Sequence, residues 1–179
     1  MNQPNDMNAV GSRISDLYKD ARGEQFEHFW QAINSSWPFD ELASRGIDDN
    51  AQAIYGLWLS CVKQRDYERH FLDLRSPNID EDGWVCHRTV LHFVMPNKPF
   101  LVDTLRVVLS NLKVPVHVVV SNVMGGGKSE DDIAVIYAEL ALLVEREVET
   151  FKQHVETALE ELKYVVGDYQ PILGKLKSL

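Results

Sequence analysis

Gly125, Gly126, Gly127, Lys128 and Ser129 stand in succession, and a glycine-rich run ending in Lys-Ser is the type of loop that cradles phosphate. A phosphate loop also needs a glycine five residues before its Gly-Lys pair, and that position is Asn122. Glu130, Asp131 and Asp132 follow, then a strand pattern. The acids repel phosphate, and no helix N-terminus is there to receive it. The run therefore reads as a hairpin loop. Successive glycines impose little backbone preference, so replacing Gly125–Gly127 by a Ser/Asn turn is expected to change stability little.

His87, His92 and His117 are the next candidates, as a metal site. Alternation puts His87 and His92 on opposite faces of one strand, so they do not chelate together. They read as surface or sheet-edge residues. No Cys/His pair has zinc-finger spacing. No G-x-S-x-G elbow presents a serine, and no G-x-G-x-x-G run marks a dinucleotide site. The expectation for this segment is no catalytic residue, no metal ligand and no cofactor-binding residue.

One place remains. Pro96 and Pro99 enclose Asn97 and Lys98, and a helix pattern follows whose first turn is Phe100 to Asp103. Free N–H groups and the macrodipole at a helix start favour a carboxylate, and Lys98 would strengthen the attraction. An amino-acid carboxylate is one reading. In the other, Asp103 complements the dipole and Phe100 packs against a neighbouring domain. The candidate ligand or interdomain contact is therefore Asn97, Lys98, Pro99, Phe100 and Asp103.

The surrounding elements are legible from their periodicities. Val85 to Met95 is a strand that stops at Pro96. Leu101, Leu105, Val108, Leu109 and Leu112 make one helix face. Val114 to Val123 is a strand, with Val116, Val118 and Val120 on one side and His117, Val119 and Ser121 on the other. Asp132 to Leu142 is another strand, with Ile133, Val135 and Tyr137 facing away from Ala134, Ile136, Ala138 and Leu140. Val148, Phe151, Val155, Leu159, Leu162 and Val166 stripe a long helix that Gly167 closes, and a last helix carries Ile172, Leu173 and Leu176.

Before these comes a helical layer. Met1 to Gly11 reads as a loose arm, Ser12 to Tyr18 and Glu24 to Asn34 as helices, and Asp40 to Ser44 as a short helix stopped by Gly46. Asp48 caps a further helix striped by Ile54, Leu57, Trp58, Cys61 and Val62. Tyr67 to Leu74 is a strand, joined to the next by a turn-rich connection from Ser76 to Gly83. The expected fold is α+β: residues 1–11 an arm, 12–65 a helical layer, 66–179 a sandwich of order β–β–α–β–β–α. That is a permuted ferredoxin-like pattern: a four-stranded sheet with helices on one face. Its spatial order places strands near residues 70, 90, 136 and 118 side by side.

The 179 residues fit one domain with an appendage, and 45% hydrophobic with 25% charged content is ordinary for a globular chain. A net charge of −9 argues against nucleic-acid and membrane partners, both of which reward a basic face. Cys61 and Cys86 read as buried hydrophobes. There is no signal-peptide pattern and no long apolar run, so the expected location is the cytoplasm.

The stretch from His87 to Val123 resembles the amino-terminal region of the large bacterial NAD-specific glutamate dehydrogenases. The matching residues are Pro99, Phe100, Leu101, Val102 and Asp103, then His117 to Val120. Trp37 to Ala43, Ala138-Glu139-Leu140 and Asp168-Tyr169-Gln170-Pro171 extend the likeness from about Trp37 to the end. The resemblance implies a first ACT-like domain of a much longer enzyme. Oxidative deamination of L-glutamate to 2-oxoglutarate with NAD would reside in a distant part of it. It also implies the enzyme's remaining domains as partners, a homo-oligomer, and a small amino acid as effector. ACT domains commonly bind amino acids beside this turn, often at a dimer interface, and many carry a glycine after the proline. Phe100 in its place favours the packing reading. A non-catalytic regulatory or assembly domain is thus the leading expectation, and a free-standing amino-acid-sensing protein the alternative. A small enzyme on a ferredoxin-like sheet is disfavoured by the missing catalytic cluster.

Overall fold

A computed structural model describes residues 7–21, 23–63, 70–125 and 132–176. Four helices open the chain: α1 (Met7–Leu17), α2 (Glu24–Asn34), α3 (Phe39–Leu42) with a 3-10 turn at Ala43–Arg45, and α4 (Gly46–Lys63). There follow β1 (Phe71–Arg75), α5 (Ile79–Asp82), β2 (Thr89–Pro96), α6 (Leu101–Asn111), β3 (Val116–Met124), β4 (Ile133–Leu140) and α7 (Glu145–Leu176). The sheet order is β1-β2-β4-β3 and every pairing is antiparallel. This is the α+β architecture and strand order expected.

Both faces of the sheet are covered. One presents Leu91, Phe93, Met95, Ile136, Ala138 and Leu140 to the stripes of α6 and α7, where Phe93 and Phe151 are fully buried. The other presents Val94, Val118, Val120, Val135 and Tyr137 to Phe29, Ile33, Ile54, Leu57 and Trp58 of the helical layer. Alternation along β4 feeds both cores at once. Each fully buried large side chain contributes roughly 1.5–3 kcal/mol.

Several local expectations are corrected. Met7 to Gly11 are not arm but the first turns of α1; residues 1–6 lie outside the described chain. Gly46 stops the helical stretch that runs through α3 and the 3-10 turn to Arg45, as expected; at φ 77°, a conformation glycine adopts freely, it is also the first residue of α4, and Asp48 sits in the first turn. There Asp48 pairs with Arg13 at 2.7 Å instead of capping. The first strand begins at Phe71, and Tyr67 to Arg69 lie outside the described residues. The connection after it holds a helical turn, α5, capped by Asn78, whose side chain accepts from the Asp80 and Glu81 N–H groups. β2 begins at Thr89 rather than Val85.

Val116 does not share a side with Val118 and Val120. It pairs with Leu140 while Val118 pairs with Glu139, so a bulge at His117 puts Val116 on the opposite face. Gly167 does not close the long helix, because α7 continues to Leu176 and absorbs the expected last helix. Nor is Gly125 freely replaceable. Its φ is 112°, and a Cβ would lie 2.2 Å from Asp132 Oδ1. Gly126 to Ser129 lie outside the described residues.

Candidate functional site

β2 hands over to α6 through the turn singled out above. The Asn97 N–H donates to the Asp132 carbonyl at 2.7 Å, fastening the turn to the lead-in of β4. Phe100 is not in the first helical turn but precedes it, left-handed at φ 65°, ψ 6°. Its carbonyl accepts from both the N–H and the hydroxyl of Thr104 at 2.9 Å. Its ring stays 46% exposed, which is high for a phenylalanine. Asn97, Lys98, Phe100 and Asp103 line a shallow groove of about 300 Å³ with Ser121, Asn122 and Val123 of β3. Pro99 is not among the lining residues. Asp103 also lies 3.8 Å from Arg106 one turn on, a surface pair of little energetic weight.

Two further polar clusters were not anticipated. Glu139 on β4 is fully buried and gathers Arg45, Arg88 and Tyr137. Arg45 engages both carboxylate oxygens, Arg88 donates at 2.8 Å and the Tyr137 hydroxyl at 2.6 Å. Arg45 also lies 5.0 Å from the Trp84 ring centroid. Burial alone would raise the Glu139 pKa; the hydrogen bonds from Arg45 and Tyr137 and the arginine charges outweigh it and lower it. Tyr137, buried and beside that carboxylate, has its pKa raised. One acid inside the apolar run IAVIYAEL was the available signal, since such a residue is tolerated only when paired.

The other cluster lies between α4 and the β1–β2 edge, in a cleft of about 290 Å³ lined by Gln52, Ser60, Lys63, Asp73, Arg75 and His92, among others. His92 is therefore not a surface or sheet-edge residue. The Ser60 hydroxyl donates to the Gly56 carbonyl at 3.1 Å, so it accepts from Nδ1–H of His92 at 2.9 Å. Nε2 is left as a buried acceptor with no hydrogen-bond partner among the described residues. Burial lowers the His92 pKa to about 4, so the ring is neutral near pH 7. His87 and His117 are exposed, as expected. Among the described residues no group of three His, Cys, Asp or Glu is placed to hold a metal ion, and no helix is long and apolar enough to cross a membrane.

Residues 29–157 match the family model described as "Glutamate dehydrogenase, ACT1 domain". The chain belongs to the glutamate dehydrogenase ACT1 domain family. The ACT1 match begins inside α2 and ends inside α7, so it takes in the whole sheet, the Phe100 turn and the Glu139 cluster. Among curated proteins, the ACT1 chain is 25% identical to an NAD-specific glutamate dehydrogenase of Halomonas elongata, over 91% of this chain and 11% of that one. It is 22% identical to an NAD-specific glutamate dehydrogenase of Pseudomonas aeruginosa, over 86% of this chain and 10% of that one. The chain thus spans about a tenth of the length of these relatives. No solved structure matches it.

Proposed function

We propose that this chain is a non-catalytic regulatory and assembly domain of a large NAD-dependent glutamate dehydrogenase. The parent enzyme converts L-glutamate and NAD to 2-oxoglutarate, ammonium and NADH in the cytoplasm. The observation that carries this reading is the ACT1 match across the sheet in a chain that covers only about a tenth of its relatives. NAD and the catalytic groups belong to the parent's remaining domains, which are this domain's partners. The Phe100 turn is a contact surface for them: the exposed ring stands where a glycine would admit a small ligand to the backbone.

A reading frame that ended at Leu179 would remove the parent enzyme from this reading. The biochemical test is NADH formation from L-glutamate and NAD by the purified chain. None is expected, and a measurable rate would place catalysis here. Calorimetric titration with the common amino acids addresses the turn, and no heat of binding is expected. Tight binding that is lost when Lys98 is replaced by alanine would favour an amino-acid sensor instead.

A further inference from the structure

The cleft between α4 and the β1–β2 edge holds polar groups that do not satisfy one another. His92 of β2 lies directly opposite Asp73 of β1, so the two side chains are cross-strand neighbours on the face that meets the helical layer. Ser60 takes the Nδ1–H of His92, which leaves Nε2 as a buried acceptor with no hydrogen-bond partner among the described residues. Asp73 is an acceptor as well, and its Oδ2 takes the Nε–H of Arg75 at 2.8 Å. The same guanidinium reaches Glu81 at 3.1 Å and Asp82 at 2.7 Å, so one cation is shared among three carboxylates. Lys63, the other cation lining the cleft, stands over the Phe71 ring at 5.9 Å. Two cations against three carboxylates leave the cleft negative, in a chain whose net charge is −9. Its apolar wall includes Ala53, Val90 and Leu59, and Leu59 is 36% exposed.

We propose that this cleft binds a small primary ammonium compound, whose N–H groups bridge the Asp73 carboxylate and Nε2 of His92 and whose hydrocarbon arm lies along Leu59. Two neighbouring acceptors with no donor between them call for a donor, and a negative surround calls for a cation; an alkylammonium head is both. A quaternary ammonium has the charge without the N–H groups. An anion would face three carboxylates, and the carboxylate of an amino acid would meet the same repulsion. A cleft of about 290 Å³ admits a head and a short arm. Nε2 is shielded in this structure, so the ligand reaches it by a rotamer change in the cleft wall, where Lys63 is long and exposed. Such binding requires neither the parent enzyme nor a ligand at the Phe100 turn.

The test is NMR titration of the 179-residue chain near pH 7 with n-butylammonium chloride at constant ionic strength, observing the imidazole nitrogens. The amine is ionised there, as lysine is. Saturable binding in the millimolar range is expected of so small a ligand. The Nε2 resonance of His92, identified by its loss in His92→Gln, should move upfield as it accepts a hydrogen bond, while Nδ1 stays protonated. Tetramethylammonium and butyrate at the same concentrations should leave it in place. Asp73→Asn should weaken binding at least about tenfold, and Arg75 keeps Glu81 and Asp82 in that variant. Leu59→Lys should bind more weakly than Leu59→Gln, because a like charge then stands at the cleft mouth; both changes are at an exposed helix position, and circular dichroism should match the parent chain. An unmoved Nε2 resonance, equal binding of tetramethylammonium or butyrate, or affinity indifferent to Asp73→Asn and Leu59→Lys would overturn the proposal.

Discussion

Phe100 holds a backbone conformation that glycine adopts without penalty and an L-side chain adopts at roughly 1–2 kcal/mol. Its half-exposed ring recovers little of that by burial in the isolated domain. Phe100→Gly is therefore expected to raise stability in urea by about 1 kcal/mol, and a loss of stability would show that the ring packs well within this domain. His92 has the opposite character, a buried neutral ring. Its folded pKa of about 4 lies below the ordinary 6.5, so the unfolded chain binds the proton more readily. Stability is then complete above pH 6.5 and falls between 6.5 and 4, by on the order of 3 kcal/mol. His92→Gln should flatten that interval in denaturant titrations at stepped pH, and an unchanged slope would assign it to other groups.

Among the elements, β4 does most to join the layers. Its even-numbered residues pack under α6 and α7, while Val135 and Tyr137 pack under the helical layer. Glu139 continues that second face and ties it to the turn bearing Arg45 and to Arg88 before β2. Glu139→Ala leaves two arginines without their shared carboxylate and the Tyr137 hydroxyl without its acceptor. Breaking a buried pair from one side typically costs about 3–5 kcal/mol. Glu139→Leu should lose comparably, since Arg45 and Arg88 remain charged in either variant. The depressed pKa of Glu139 adds a second acid window: its contribution is present above the ordinary carboxylate range and is lost as pH falls below it. That window lies below the one set by His92, so acid unfolding of the two variants distinguishes them. A Glu139→Ala protein with unchanged urea midpoint would show that the cluster is energetically neutral.

At the scale of the whole molecule, the helical layer shares a core with the sheet, through Phe29, Ile54 and Leu57 against Val94, Val120, Val135 and Tyr137. Elements that bury each other's apolar faces lose that burial together, so urea unfolding is expected to be a single transition. Tryptophan fluorescence follows mainly the helical layer, through Trp30, Trp37 and Trp58, and far-ultraviolet circular dichroism follows the entire chain. The two curves should coincide. Separate midpoints would mean that the layer and the sheet unfold independently.

The sequence by itself determined the stripes, the strand alternation and the order of the strands in space, because each follows from local periodicity and short connections. Leu101, Leu105, Val108 and Leu109 of α6 lie where period predicts, as do both faces of β4. The turn from Asn97 to Asp103 was also legible, from its two prolines and the helix pattern behind them. Tertiary structure decided the rest. The flip of Val116 depends on a bulge against β4, which nothing within β3 announces. Helix α7 runs through Gly167 because a helix-breaking tendency of about 1 kcal/mol is small beside the free energy of a long packed helix. Arg45 and Glu139 stand 94 residues apart and His92 and Ser60 32 apart, so no local pattern joins either pair. They meet only because the helical layer folds onto the second face of the sheet, where a polar side chain removed from water must find its partner.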